Sequence, residues 1–352
     1  VWRQSRCNFE KKIKGTTLVL GGINMAGILF IGGHRKSGTT MLSRLFDNHP
    51  QIFVAPTDIN VLYAYYPEWI SDKYTELERL SRLKLVVIQA TKKALGEYVL
   101  LYDFSIELFE RNFMKFLQEI DTQKIGQVLN ALIETYKMMI PHGVKWLVLK
   151  ETGSEIYAHH LFKQNGMLKF LHLVRDPRDN FAAIRAGLET HYSRFGNDYI
   201  DTLGSVLVRY SYGIKWLKHN LNIYGTDKYK ILHFEKLVME TKSIMEDISR
   251  WLEIEMRGEL LTPTHAGNIY SGNNYEGATF FGVDNRHIGA WRKRITNDEA
   301  AIVEFILREE MDYLGYARAT DLSVGATLAS DFYAAMNYKY FFADSFLRLS
   351  DK

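Results

Sequence analysis

One cysteine, six prolines and a net charge of only +3 deprive this 352-residue chain of several common signatures. The lone Cys7 excludes an internal disulfide framework, and no C-x-x-C pair or Cys/His grouping has zinc spacing. That cysteine usage fits a reducing compartment, here the cytoplasm. The charge is the small difference between 44 basic and 41 acidic residues, too weak a field to favour nucleic acid or an acidic membrane surface. Any anion-binding capacity must therefore be local. Long apolar runs are missing too. The uncharged stretch from Gly15 to Gly33, preceded by Lys11, Lys12 and Lys14, has the length of a signal anchor but carries six glycines and two threonines. Its second half is required as a strand, so no membrane span is expected. Residues 1–24 are set apart as an extension ahead of the fold. No repeat or low-complexity segment is present, and nothing in the sequence fixes an oligomeric state.

What the chain does have is 47% hydrophobic residues, enough for a substantial core. They fall in short apolar runs separated by longer helical patterns, the signature of a parallel α/β sheet flanked by helices. The strands are expected at 27–33, 51–55, 145–150, 169–174 and 229–234, and helices at 39–48, 154–164, 178–190, 200–221, 236–252 and 297–311. Between about 71 and 140 the pattern is helical and mixed in charge, with no proline from Ser71 to Met139. It is too long for one crossover and reads as a helical insertion over the carboxyl edge of the sheet. The Gly- and Asn-rich stretch 264–285 reads as a long loop, and loops of that length usually bind or cover something. One domain then occupies 25–318, followed by an aromatic-rich tail over 319–352.

The stretch "FIGGHRKSGTTMLSRLFDNHP" joins an apolar strand, a small polar turn and an amphipathic helix, in the manner of a P-loop. Gly32, Gly33 and Gly38 permit backbone conformations that aim successive N–H groups at an anion, and Thr39 and Thr40 add hydroxyls. A nucleoside-triphosphate loop of the form G-x-x-x-x-G-K-[ST] needs lysine where this chain has Thr39. Its absence argues against a triphosphate donor. Lys36 instead sits within the loop, placed to stabilise charge as a short nucleotide donor breaks its bridging bond. A second stretch, "FLHLVRDPRDNFAAI", runs from strand through Arg175 into a proline-opened helix. An arginine leaving a buried strand aims its fork into the crevice where α/β folds bind phosphates. A salt bridge from Arg175 to Asp176 or Asp179 is compatible with that role.

Lys36-Ser37-Gly38-Thr39-Thr40, with Asp47-Asn48-His49-Pro50 closing the helix, resembles the donor loop of sulfotransferases that use 3′-phosphoadenosine 5′-phosphosulfate (PAPS). Arg175 resembles the arginine of that family's 3′-phosphate motif, which has a serine eight residues later; this chain has Ala183 there, and Arg185 is the candidate replacement. His233 to Val238 and the late "GAWRKR" segment extend the resemblance to Tyr316, with Arg286 a further candidate 3′-phosphate contact. The resemblance implies PAPS as co-substrate, adenosine 3′,5′-bisphosphate (PAP) as product, and no metal. Arg35, Lys36, Ser37, Gly38, Thr39 and Thr40 would cradle the 5′ side. Lys36 and Lys150, at the end of a strand, would supply catalytic cations.

Family members take the acceptor proton with a carboxylate soon after the "HP" segment or with a histidine two residues after the strand-end lysine. The second position is Thr152 here. The first points to Asp58, one residue beyond the expected place, with Glu151 in reserve. The acceptor is expected to be a hydroxyl, or failing that an amine, of a carbohydrate or small molecule; Tyr63, Tyr65 and Tyr66 read as core aromatics, with a place in the acceptor cleft as the alternative. His34 reads as a turn residue without catalytic duty, His159 and His160 as a poor metal pair, and His172 as a satisfied core residue. The competing readings are a P-loop kinase with a displaced lysine, and a catalytically silent nucleotide-binding module, suggested by Ala183 and the off-register Asp58.

Overall fold

Five strands, β1 (Gly27–Gly33), β2 (Ile52–Val54), β3 (Trp146–Lys150), β4 (Leu168–Val174) and β5 (Tyr229–His233), pair in parallel in the order β2-β3-β1-β4-β5. In β1, Ile28 and Phe30 enter one core while Leu29 and Ile31 enter another. β3 divides Leu147 and Leu149 from Val148 in the same way, and β4 divides Phe170 and Val174 from Leu171 and Leu173. This period of two, apolar on both sides, is what a parallel strand covered on both faces requires. Gly27–Gly33, the segment that mimicked an anchor, is the central strand, and among the described residues no helix is long and apolar enough to cross a membrane.

The computed structural model describes residues 27–61, 64, 74–97, 104–141, 143–188, 199–272 and 280–335. The 1–24 extension, Cys7, Tyr63, Tyr65 and Tyr66 lie outside them. α1 (Thr39–Leu45) follows β1 and buries Leu42 and Leu45 against the second core. It stops short of the expected 48, and Asn48 turns left-handed with φ 67° ahead of His49. His49 then fixes the entry to β2, its Nε2 hydrogen-bonded to the Glu255 carbonyl at 2.9 Å.

The insertion contains α2 (Glu76–Leu83), a π turn (Lys84–Gln89), α3 (Ala90–Glu97), α4 (Ile106–Gln118) and α5 (Ile125–Lys137). Its amphipathic faces bury Phe109, Phe113, Val128 and Leu132 in the core shared with Ile28, Leu147, Ala55 and Val61. Phe104, ahead of α4, stacks on Phe53 of β2 with ring centroids 6.3 Å apart, and Arg82 of α2 donates to the Ala64 carbonyl, beyond the carboxyl end of β2, at 2.6 Å.

Beyond β3, a 3-10 turn (Ser154–Tyr157) leads into α6 (Ala158–Gln164). α7 (Pro177–Arg185) opens on Pro177, with the Asp176 side chain capping its first turn. α8 (Tyr199–Lys228) outruns its expected end and is interrupted at Gly225. The segment expected as one helix over 236–252 is two, α9 (Phe234–Met239) and α10 (Thr241–Leu252), and 297–311 likewise divides into α11 (Asn297–Ile306) and α12 (Arg308–Leu314). The 264–285 loop contains a small antiparallel pair, Thr264–His265 with Asn268–Ile269. α13 (Leu322–Ala335) crosses α11 so closely that a Cβ at Gly325 would lie 2.7 Å from the Ala301 carbonyl oxygen.

Candidate active site

β1 ends in a turn that only glycine can make. Gly33 has φ 131°, and a Cβ there would stand 2.2 Å from the Leu173 carbonyl oxygen of the neighbouring strand. At Gly38, φ is 92° and a Cβ would meet the Phe234 ring at 2.5 Å. Between them Lys36 is also left-handed, with φ 62°, at a cost of about 1–2 kcal/mol for a residue with a side chain. Two donors reach the Arg35 carbonyl: Asn180 Nδ2 at 2.6 Å and His34 Nδ1 at 2.9 Å. A third, Arg175 Nη1, reaches the Lys36 carbonyl at 2.8 Å. Burial pushes the His34 pKa down to about 3, with nearby Arg209 adding to the effect, so the ring is neutral and its Nδ1–H donates. Ser37 is buried in the turn, its N–H bonded to the His34 carbonyl.

Arg175 stands where the sequence places it, at the end of β4. Its second nitrogen, Nη2, donates to the His287 carbonyl at 2.8 Å, its guanidinium covers the Phe234 ring at 4.6 Å, and Asp179 lies 3.9 Å away. Burial draws its pKa below the usual arginine value, against the raising pull of Asp179. Its Nε is buried without a hydrogen-bond partner among the described residues. The carboxylate of Asp179 accepts the N–H groups of Gly289 at 2.7 Å and Trp291 at 2.9 Å, which locks the late "GAW" segment beside Arg175. Glu235 accepts the Asp176 N–H at 2.9 Å and the Tyr316 hydroxyl at 3.1 Å, binding the turn after β4 to α9 and to the "LGY" segment.

Arg185 is turned to α11, where Nη1 donates to both Glu299 oxygens at 2.5 and 2.6 Å. Arg286 is 58% exposed, pairs with Asp284 at 2.7 Å and lies over Phe280. Both expected phosphate ligands thus begin in ion pairs.

On the other side of the loop, Lys150 projects from β3. Its ammonium donates to Thr40 Oγ1 at 3.1 Å and to Asp58 at 2.5 and 2.6 Å. The segment carrying Asp58 is laced to the end of β3: Ile59 N–H meets the Lys150 carbonyl at 3.1 Å, and Asn60 N–H meets Glu151 Oε2 at 2.7 Å. Arg44 reinforces it by donating to the Pro56 carbonyl at 3.2 Å. Glu151 is 1% exposed; burial, then the charge of Asp58, push its pKa up to about 8, while Lys150 opposes the shift. Asp58, Glu151, Lys150 and Thr40 therefore form one cluster, joined to Lys36 through the loop.

Sequence reasoning missed Asn180. Its only signal is an amide one turn inside a proline-opened helix whose side chain is 0% exposed. His172 is buried, as a core residue should be, and bonded to the Tyr229 hydroxyl at 2.6 Å, whereas the His159 and His160 rings lie 3.9 Å apart, closer than adjacent positions on a helix lead one to expect. No group of three or more metal-ligating side chains occurs among the described residues.

A model of the sulfotransferase family matches residues 29–258, a span containing Lys36, Asp58, Lys150, Glu151 and Arg175. Among solved structures, the chain is similar to the sulfotransferase domain from the Synechococcus PCC 7002 olefin synthase, with 19% identity, 89% of this chain and 97% of that one covered, and a TM-score of 0.51. It is equally similar in shape to the sulfotransferase domain from the curacin biosynthetic pathway, with 16% identity, 84% and 100% coverage, and a TM-score of 0.51. At these identities the likeness shows the α/β fold. No curated protein matches.

Proposed function

Because the chain belongs to the sulfotransferase family, we propose that it moves a sulfuryl group from PAPS to a hydroxyl, or with less support an amine, of a carbohydrate or small-molecule acceptor in the cytoplasm. When bound, that donor supplies an activated sulfuryl group on a phosphate leaving group. The observation that carries the reading is the Lys150 ammonium, which touches Thr40 of the donor loop and Asp58 at once. One cation thereby holds a carboxylate beside the place where a donor phosphate would lie.

The residues present fit a bisphosphate nucleotide. Arg35, Lys36, Ser37, Gly38, Thr39 and Thr40 line the 5′ side, and the buried Nε of Arg175 supplies an uncommitted donor on the 3′ side. Ala183 withholds a hydroxyl there. Arg286 reaches the 3′-phosphate only by leaving Asp284, and Arg185 only by leaving Glu299. Asp58 accepts the proton of the attacking hydroxyl as its oxygen bonds to sulfur. The bond from sulfur to the bridging oxygen breaks, its electron pair stays on the departing 5′-phosphate, and Lys36 stabilises that charge. Lys150 is released from Asp58 as the carboxylate is protonated, and becomes available to the equatorial sulfuryl oxygens. Positioning and cationic stabilisation do most of the work in such transfers.

Calorimetric titration with PAP, beside ATP with magnesium, tests the reading on the wild type, Lys36→Ala and Arg175→Ala. PAP is expected to bind without magnesium and to weaken about tenfold or more in Arg175→Ala, as loss of charge-assisted hydrogen bonds implies. Preference for ATP with magnesium, or an indifferent Arg175→Ala, overturns the donor assignment. Tight PAP binding without turnover on a panel of alcohols and amines leaves the silent module as the function.

A further inference from the structure

We infer that Asn180, on the 3′ side of the site, is the positioning residue that sets where Lys36 stands on the 5′ side. The inference rests on the proposed donor reading and adds to it a dependence between its two halves.

Lys36 has to be held at φ 62°, since a non-glycine residue gains nothing there by itself. The two peptide planes flanking its Cα carry the carbonyls of Arg35 and Lys36. Asn180 Nδ2 fixes the first at 2.6 Å and Arg175 Nη1 fixes the second at 2.8 Å. Pinning both planes fixes φ and ψ of the residue between them, and with them the direction of its Cα–Cβ bond. His34 Nδ1 helps at the first carbonyl, but it lies on the loop itself. Asn180 is the anchor from outside. It sits in the first turns of α7, is 0% exposed, and follows the rigid Asp176-Pro177 start.

The arrangement also carries a cost that marks its purpose. Only the NH2 end of the amide can face a carbonyl, so the orientation of Asn180 is determined, and Oδ1 is left buried with no partner among the described residues. A leucine would fill that volume without an orphaned acceptor, but no apolar side chain can hold the Arg35 carbonyl. β4 and α7 thus deliver two groups with different duties: Arg175 recognises the donor and braces the loop, while Asn180 braces the loop alone.

The test compares two nucleotides that differ only on the 5′ side, adenosine 3′-monophosphate and PAP, by calorimetry. The ratio of their Kd values isolates what the loop and Lys36 contribute. In Asn180→Ala this ratio is expected to shrink about tenfold, the size of one lost buried hydrogen bond, while the Kd for adenosine 3′-monophosphate stays within about twofold. In a Lys36→Ala background the Asn180 change should alter the ratio little, because the two act through one contact. Equal weakening of both nucleotides, an unchanged ratio, or additivity with Lys36→Ala each overturns the inference. Asn180→Leu, which fills the same volume without a donor, carries the same expectation should the alanine variant not fold. A wild type that fails to distinguish the two nucleotides refutes the donor reading itself, which is a separate outcome.

Discussion

Glu151→Gln exposes the electrostatics of the acceptor side without touching its shape. Glu151 is almost fully buried beside the Lys150–Asp58 pair, and its Oε2 accepts the Asn60 N–H at 2.7 Å. Burial and the Asp58 charge raise its pKa from an ordinary 4.5 to about 8. Between those values the folded protein holds a proton that the unfolded chain releases. The stability contributed is therefore complete below about pH 4.5 and is lost as pH rises through about 8. One proton gives a slope of about 1.4 kcal/mol per pH unit at most, and an upper bound of about 5 kcal/mol across the window. Glutamine does not titrate and keeps a carbonyl oxygen for Asn60. Urea denaturation of both proteins at about pH 5, 7 and 8.5 should show near-equal stability at the acid end and a variant more stable by about 4 kcal/mol at the basic end. A difference that stays constant with pH would falsify the argument, because residue 151 would then keep its charge state on unfolding.

Two further outcomes follow from the same geometry. Gly33→Ala forces a side chain into a left-handed turn and against the Leu173 carbonyl at 2.2 Å, a backbone atom of the β1–β4 ladder that cannot yield; a loss of about 3 kcal/mol or more is expected, and a melting temperature within a few degrees of wild type would contradict it. His34 and His172 are both buried and held to about 3, so their contribution is present above the ordinary value of 6.5 and is lost as pH falls toward 3. His172→Gln should therefore show a shallower fall in stability between about pH 6.5 and 4 than the wild type, and an equally steep acid limb would remove His172 as a contributor.

Legibility followed the range of the interactions. The strands show in the sequence because a doubly covered strand must be apolar on consecutive residues, and Gly27–Gly33 has the bounds its pattern predicts. The donor loop shows because its glycines are demanded locally, at Gly33 and Gly38. Helix ends are less legible: the break at Glu240 and the long run to Lys228 depend on packing that periodicity does not encode. Asn180 was invisible because its acceptor, the Arg35 carbonyl, lies 145 residues away in the chain. The same holds for Asp179 and Gly289, 110 residues apart. The ion pair of Arg185 with Glu299 on α11, 114 residues apart, was illegible for the same reason.

Sheet order, more than any single residue, gives the site its polarity. β1 carries the loop and lies between β3, which ends in Lys150, and β4, which ends ahead of Arg175. Neighbouring parallel strands are about 5 Å apart, so the strands that carry the two cations lie about 10 Å apart on either side of β1. An in-line transfer needs the nucleophile and the leaving group on opposite sides of the sulfur. On the proposed mechanism, with Asp58 fastened to Lys150 and Arg175 on the opposite side of β1, the β3-β1-β4 order would separate proton acceptance from nucleotide departure. On the same proposal a lysine at 36 in place of one at 39 would put a cation inside the turn, between those two sides, where the bridging oxygen of the donor would gain its charge.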